Sequence, residues 1–358
     1  MVDVTSKVQI IEHVNKPLSQ TVYDTKWVPC SARFVSLGTP ARQTGLIHVY
    51  SLTAGDIELQ AELERPKAFK CGTFGASSIA ERHLATGDFA GGVALWDLER
   101  LQEPLIATQG HEAIINCIDG CGGLKGAGAP EIATGGRDGA VHVWDPRQRD
   151  RPVRDCWAVA FGDAHSADSR VVAAGYDNGD VKLLDLVAGK LRFETNVSNG
   201  VCGVEFDRND IEMNKLVLTT LESRYRLYDM RTHHPVHGYS FLSQEAHQST
   251  VWAARHLPQN RDVFMTCGGN GSLELWRYSY PAQRSIKDKD GHAKARTLPR
   301  LFLDPPGVLG TVTQLQKKKF STQPIASFDW HADKEGLAVM GVLDQTVRVL
   351  LCTKLNLV

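Results

Sequence analysis

Residues 138–145 read Asp138-Gly-Ala-Val-His-Val-Trp-Asp145: an Asp-Gly turn, a strict alternation of apolar and polar side chains, an aromatic, then an acid. Alternation at period two describes a half-buried β-strand, and Asp-Gly supplies the positive φ that a tight hairpin needs. The phrase recurs as Gly45-Leu-Ile-His-Val-Tyr50, Gly91-Gly-Val-Ala-Leu-Trp-Asp97, Asn178-Gly-Asp-Val-Lys-Leu-Leu-Asp185, Ser223-Arg-Tyr-Arg-Leu-Tyr-Asp229, Asn270-Gly-Ser-Leu-Glu-Leu-Trp276 and Asp344-Gln-Thr-Val-Arg-Val-Leu350. Seven copies of one strand phrase make an internal repeat.

The copies end at residues 50, 96, 144, 184, 228, 276 and 350, so successive intervals are 46, 48, 40, 44, 48 and 74 residues. All but the last are close to the ~40–45 residues of a four-stranded propeller blade. Segments with helical periodicity are essentially absent. The expected fold is all-β: one seven-bladed β-propeller filling 1–358. Val8-Gln-Ile-Ile-Glu-His-Val14 precedes the first complete blade and is expected to supply the outer strand of the last, which closes the ring and removes free sheet edges.

The third copy carries Gly110-His111, Thr134, Asp138 and Trp144, and the sixth carries His247, Thr266, Asn270 and Trp276. Linkage of these four residue types by hydrogen bonds is specific to WD-repeat propellers, which the chain resembles. A His and an acid at fixed separation also suit proton transfer. Recurrence in two blades argues for turn locking instead, because an active site would occur once.

Composition narrows the function classes. The 358 residues hold 40 Lys and Arg against 41 Asp and Glu, a net charge of −1, so no global field draws the chain to nucleic acid or an anionic membrane. Hydrophobic residues at 42% and 32 Gly suit a turn-rich globular core. Neither a signal pattern nor an apolar run long enough to span a bilayer occurs, and a cytosolic or nuclear location is expected. The eight cysteines sit mostly in apolar strand text without a CxxC pair and read as buried thiols. No GxxxxGK[ST] loop or HExxH helix is present. His233-His234-Pro-Val-His237 lacks matched acidic or Cys partners, so no metal, cofactor or catalytic residue is assigned.

Three irregularities mark candidate binding sites. Residues 284–319 hold nine Lys and Arg against three Asp and Glu, and are expected to form a mobile basic insertion in blade 6 and its exit. From Trp144 to Trp157 there are only 13 residues, against 20 from Tyr50 to Lys70, 18 from Leu184 to Cys202 and 24 from Tyr228 to Trp252. Blade 3 is therefore expected to have a rudimentary fourth strand and an exposed edge, with a lineage-specific shortening and residues missing from this sequence as the competing readings. Aligned starts of the inner strands put Tyr23, Lys70, Trp157 and Trp252 on one rung around the channel mouth, where aromatic residues would anchor a partner. Packing between blades is the alternative for these rings.

Several further stretches are not dictated by a propeller repeat: Thr21–Phe34, Lys70–Ala76, Gly135–Gly139, Val143–Gln148, Ala174–Asp180, Asn199–Cys202, Glu205–Arg208, Ser249–Trp252, Arg255–Arg261 and Asp344–Leu350. In these the chain resembles the WD-repeat axonemal dynein assembly factors almost end to end, departing at the short blade 3 connection and around residues 285–310. The resemblance implies a non-enzymatic cytoplasmic adaptor, a monomeric propeller within larger complexes. Its implied partners are a prefoldin-like and RuvB-like ATPase co-chaperone assembly and axonemal dynein heavy chains, in cilium biogenesis; a role in apoptosis is also attached to the family. Two WDxR-like tails, Trp144-Asp145-Pro-Arg147 and Tyr228-Asp229-Met-Arg231, resemble the adaptor-binding box of cullin-RING ubiquitin ligase receptors and define the alternative function. A methyl-lysine reader built on the aromatic rung is a third.

Overall fold

In the computed structural model each of the seven recurring phrases becomes the third strand of an antiparallel sheet. The structure describes residues 7–123, 126–144, 156–166, 168–208, 210–234, 238–281 and 309–357. Blade 1 shows the plan, with Gln20–Trp27 innermost, then Arg33–Pro40, Gly45–Leu52 and the outer Ile57–Arg65. The innermost strands of blades 2 to 7 are Phe69–Thr73, Ile115–Cys121, Ala158–Gly162, Val201–Phe206, Val251–Leu257 and Ile325–Trp330. Each packs against the next, and Ile325–Trp330 packs back on Gln20–Trp27, so the sheets form a closed seven-bladed β-propeller.

Burial follows each strand's radial place. Second strands lie between neighbouring sheets and are apolar on both faces, as in Val171–Gly175, buried throughout. Outer strands keep one face in water, as in Ile57–Arg65, where most side chains are exposed or half-buried. The apolar core is divided into seven clusters, one for each seam between adjacent blades; Val217, Leu227 and Tyr225 of blade 5, for example, meet Val251, Phe264 and Trp276 of blade 6. No blade buries its faces without both neighbours.

All seven turns between second and third strands pass through the left-handed region. Gly91, Gly139, Gly179 and Gly271 do so with φ between 74° and 97°, and Gln43, Ser223 and Gln345 do so with φ of 62°, 41° and 63°. A side-chain-bearing residue meets a steric cost there that the glycines of blades 2, 3, 4 and 6 avoid.

Gln9–Pro17 is the outer strand of blade 7, paired antiparallel with Thr346–Thr353, as the position of Val8–Val14 predicts. Blade 6 helps to hold it: Lys318 Nζ donates to the Ile10 carbonyl at 2.9 Å and Gln316 Nε2 to the Val8 carbonyl at 3.1 Å.

The expected basic insertion needs correction at its C-terminal end. Thr311–Lys319 is the outer strand of blade 6, paired with Ser272–Ser279, and Lys317 makes an ion pair with buried Glu274 at 2.6 Å. An outer strand needs only one weakly apolar face, so a run such as Gln314-Leu-Gln-Lys-Lys-Lys319 reads as loop in sequence. Residues 284–308 of that expectation lie outside the described residues. Blade 3 shows three strands among the described residues, Ile115–Cys121, Glu131–Gly136 and Val141–Trp144; a fourth would fall in 145–155, also outside them.

Candidate protein-interaction face

The inner strands share one irregularity. Their pairing with the second strand slips between Val22 and Asp24, Phe69 and Cys71, Ile115 and Cys117, Val201 and Gly203, Val251 and Ala253, and Ile325 and Ser327. Each slip leaves one bulged residue: Tyr23, Lys70, Asn116, Cys202, Trp252 and Ala326. In blade 4 regular pairing starts at Ala158, just after Trp157. A bulge bends the strand and re-aims its extra side chain. Tyr23, Lys70, Trp157 and Trp252 are therefore equivalent positions, joined by Asn116, Cys202 and Ala326, which sequence alignment alone missed. Because strand direction alternates, these positions share one face with the second-to-third turns.

The rung is uneven. Trp252 is 39% exposed and Leu221 of the preceding blade 37%, and Thr250 Oγ1, two residues before Trp252, donates to the Leu221 carbonyl at 3.3 Å. A side chain at Gly269 would come within 3.3 Å of Trp252 Nε1, so the glycine keeps the indole's space clear. Tyr23 is half-buried against Phe89, with ring centroids 5.2 Å apart, and Lys70 Nζ lies 4.9 Å from the Tyr23 ring. Trp157 is half-buried. The blade 1–2 side of the rung thus packs on itself, and the blade 5–6 side presents an apolar surface.

Counting five residues back from the bulge reaches His111 in blade 3 and His247 in blade 6. His111 Nδ1–H donates to the Asp138 carboxylate at 3.0 Å, its Nε2 meets Thr134 Oγ1 at 2.8 Å, and that hydroxyl accepts from Trp144 Nε1–H at 2.8 Å. Burial would raise the Asp138 carboxyl, but bonds from His111 and the backbone N–H groups of Ala140 and Glu112 outweigh it and hold its pKa below the usual range. In blade 6, His247 Nε2 meets Thr266 Oγ1 at 2.8 Å, which also accepts from Trp276 Nε1–H at 3.0 Å. Ser272 Oγ stands 2.8 Å from His247 Nδ1 and donates to Asn270 Oδ1 at 2.7 Å. Burial pushes the His247 imidazole down to about 4, although buried Glu274 opposes the shift. Both histidines are inside the fold, at 2% and 4% exposure, and reach no open cleft.

The same count reaches Leu18, Arg65, Val197 and Ser321 in blades 1, 2, 5 and 7. In blade 2 Trp96 Nε1–H still donates to Thr86 Oγ1 at 2.8 Å, but Asp88 stands where blades 3 and 6 have Gly136 and Gly268. A Cβ on Gly136 would lie 2.2 Å from His111 Nδ1, and one on Gly268 2.3 Å from His247 Nδ1. The imidazole and a side chain at that position exclude each other.

Carboxylates of the inner strands tie blade to blade. Asp329 Oδ2 accepts from Trp27 N–H at 2.8 Å, Asp24 Oδ2 from Gly72 N–H at 2.9 Å, Asp119 Oδ2 from Phe161 N–H at 2.9 Å and Glu205 Oε1 from His256 N–H at 2.6 Å. Arg255 Nη1 bonds Glu205 Oε2 at 2.6 Å. Sequence reading passed over these acids because their partners are in the following blade.

The WDxR-like tails are differently placed. Trp144 is the buried end of the blade 3 tetrad, and Asp145 and Arg147 lie outside the described residues. Tyr228 and Asp229 are buried, and Arg231 turns back, with Nε 3.2 Å from Asp229 Oδ1 and its guanidinium 5.1 Å from the Tyr280 ring.

Comparison with known proteins agrees with this architecture. The WD domain, G-beta repeat family matches residues 102–145. Over 98% of both chains, the sequence is 55% identical to a Xenopus tropicalis protein and 54% identical to a Homo sapiens protein, each named dynein axonemal assembly factor 10. A Chlamydomonas reinhardtii protein of the same name is 51% identical over 99% of both chains. The chain belongs to the dynein axonemal assembly factor 10 family of WD-repeat proteins.

Proposed function

We propose that this chain is a non-enzymatic scaffold for axonemal dynein assembly, a cytoplasmic adaptor that joins dynein heavy chains to a prefoldin-like and RuvB-like ATPase co-chaperone assembly. End-to-end similarity to dynein assembly factors carries the reading. The geometry is consistent with it: the polar constellations are used to lock turns and seams, and the largest side chain offered to solvent on the rung face is Trp252. An exposed aromatic accompanied by an exposed apolar residue is the composition of a protein-binding anchor.

Affinity purification of the chain from ciliated cells, with mass spectrometry, tests the partners. Recovery of prefoldin-like subunits, RuvB-like ATPases and dynein heavy chains is expected. Recovery of a cullin and its adaptor without them would replace this reading with the ligase-receptor one. Loss of the protein should lower cytoplasmic heavy-chain levels and ciliary motility.

A further inference from the structure

The face opposite the rung carries the first-to-second and third-to-outer connections, and between blades 1 and 2 these border an open cavity of about 480 Å³ lined by residues that include Arg33, Ile79, Glu81, Arg82, Asp97 and Glu99. That volume is within the usual range for a ligand site. One wall is a single helical turn. Arg82 N–H donates to the Ser78 carbonyl at 2.9 Å, Ser78 Oγ accepts from Glu81 N–H at 3.2 Å, and Arg82 ends the turn with φ of 52°. The turn holds Ile79 outward at 55% exposure, an aliphatic side chain with no apolar cover.

The charges of the cavity are unequally occupied. Arg33 Nη1 is 2.8 Å from Glu99 Oε1 across the seam, and Arg82 Nε donates to the Ile79 carbonyl at 3.0 Å. Glu81 Oε2 accepts only from Ser78 Oγ at 3.2 Å, and Asp97 Oδ1 from Glu99 N–H at 2.9 Å; among the described residues neither carboxylate has a cationic partner. Arg33 is paired and Arg82 bonds only a backbone carbonyl, so three carboxylates against two guanidiniums leave the lining with one surplus negative charge beside an exposed aliphatic.

We propose that this cavity is a second docking site, for a short basic segment of a partner protein that sets a Lys or Arg between Glu81 and Asp97 and a large aliphatic or aromatic side chain against Ile79. A charged, open groove with one apolar contact suits a peptide better than a small metabolite, which needs mostly apolar enclosure. Its position opposite Trp252 lets two partners be held at once. The site is independent of which proteins bind the rung.

The test is selection of binders from a displayed library of random short peptides on the full-length chain. Expected are sequences that pair Lys or Arg with Leu, Ile or Phe, whose affinity falls about tenfold with Ile79→Ser and again with Glu81→Lys, weakens with added salt, and is unchanged by Trp252→Ala. Both altered residues are exposed, so thermal unfolding of the variants should match the parent. Selected peptides that are acidic, that ignore Ile79→Ser and Glu81→Lys, or that are lost with Trp252→Ala would overturn the proposal, as would no binders from a library that yields them for an unrelated propeller.

Discussion

Arg348 and Glu12 are 336 residues apart in the chain, yet Arg348 Nη1 and Glu12 Oε2 lie 2.8 Å apart across the two outermost strands of blade 7. The guanidinium also bonds Asp344 Oδ2 at 3.1 Å and the Phe320 carbonyl at 2.9 Å, and Arg348 is 7% exposed. One side chain thus links the N-terminal strand, the last hairpin turn and the connection out of blade 6.

Arg348→Ala should lower stability by roughly 1–3 kcal/mol, because it removes a buried side chain and takes a charged donor from the half-buried Glu12 and Asp344 carboxylates and from the Phe320 carbonyl. Glu12→Ala, on a carboxylate 31% exposed, should cost about 1 kcal/mol or less. Urea denaturation midpoints measure both. Equal losses from the two substitutions would show that Arg348 acts only through Glu12.

His247 sets a pH dependence. Its folded pKa, about 4, is below the unfolded value near 6.5, so the unfolded state binds more protons in that window and stability falls as pH drops from about 6.5 to 4. The loss from this residue reaches about 3 kcal/mol at the acid end. His247→Gln should flatten the stability profile over that interval; an unchanged profile would mean that the imidazole is not held neutral by burial.

Thr134 Oγ1 joins His111 and Trp144, so Thr134→Val should cost roughly 1–3 kcal/mol by orphaning a buried ring nitrogen and a buried indole N–H. Gly136→Ala should cost more, since its Cβ would meet the His111 ring. In the background of His111→Ala, the cost of Gly136→Ala should shrink by at least about 1 kcal/mol. Additive costs in that double-mutant cycle would disprove the mutual exclusion inferred from Asp88 in blade 2.

Thiol reactivity should be confined. Cys30 is the one exposed cysteine of the eight, and burial pushes Cys71, Cys121, Cys202, Cys267 and Cys352 up to about 12. A thiol reagent at neutral pH should label Cys30 fast, half-buried Cys202 slowly, and Cys71, Cys121, Cys267 and Cys352 only on unfolding. Rapid labelling of Cys71 or Cys267 in the native protein would contradict the closed seams.

Trp252→Ala should change stability by no more than about 1 kcal/mol, given the exposure of the ring, while abolishing capture of whichever partner uses the rung face. Calorimetry and co-purification read the two effects separately. Intact capture by a folded Trp252→Ala chain would remove that face from the proposed function.

The blade count, the hairpin turns, the closing strand and the recurrence of tetrad residue types were legible in the sequence because each is written locally, whereas the place of Ser272 between His247 and Asn270 was not. A turn needs its positive φ, a half-buried strand alternates, and the His, Thr, Asp and Trp of a tetrad recur at the period of the repeat. Tertiary structure alone decided what depends on pairing across the chain. Asn116, Cys202 and Ala326 joined the rung only through the strand register, and Thr311–Lys319 proved to be a strand only because Ser272–Ser279 offered it an edge. The seam carboxylates Asp24, Asp119, Glu205 and Asp329 acquire partners from the next blade, and the cavity beside Ile79 exists only where two blades meet. Local periodicity encodes what one sheet requires; the space and the hydrogen-bond donors between sheets come into being only when the ring closes.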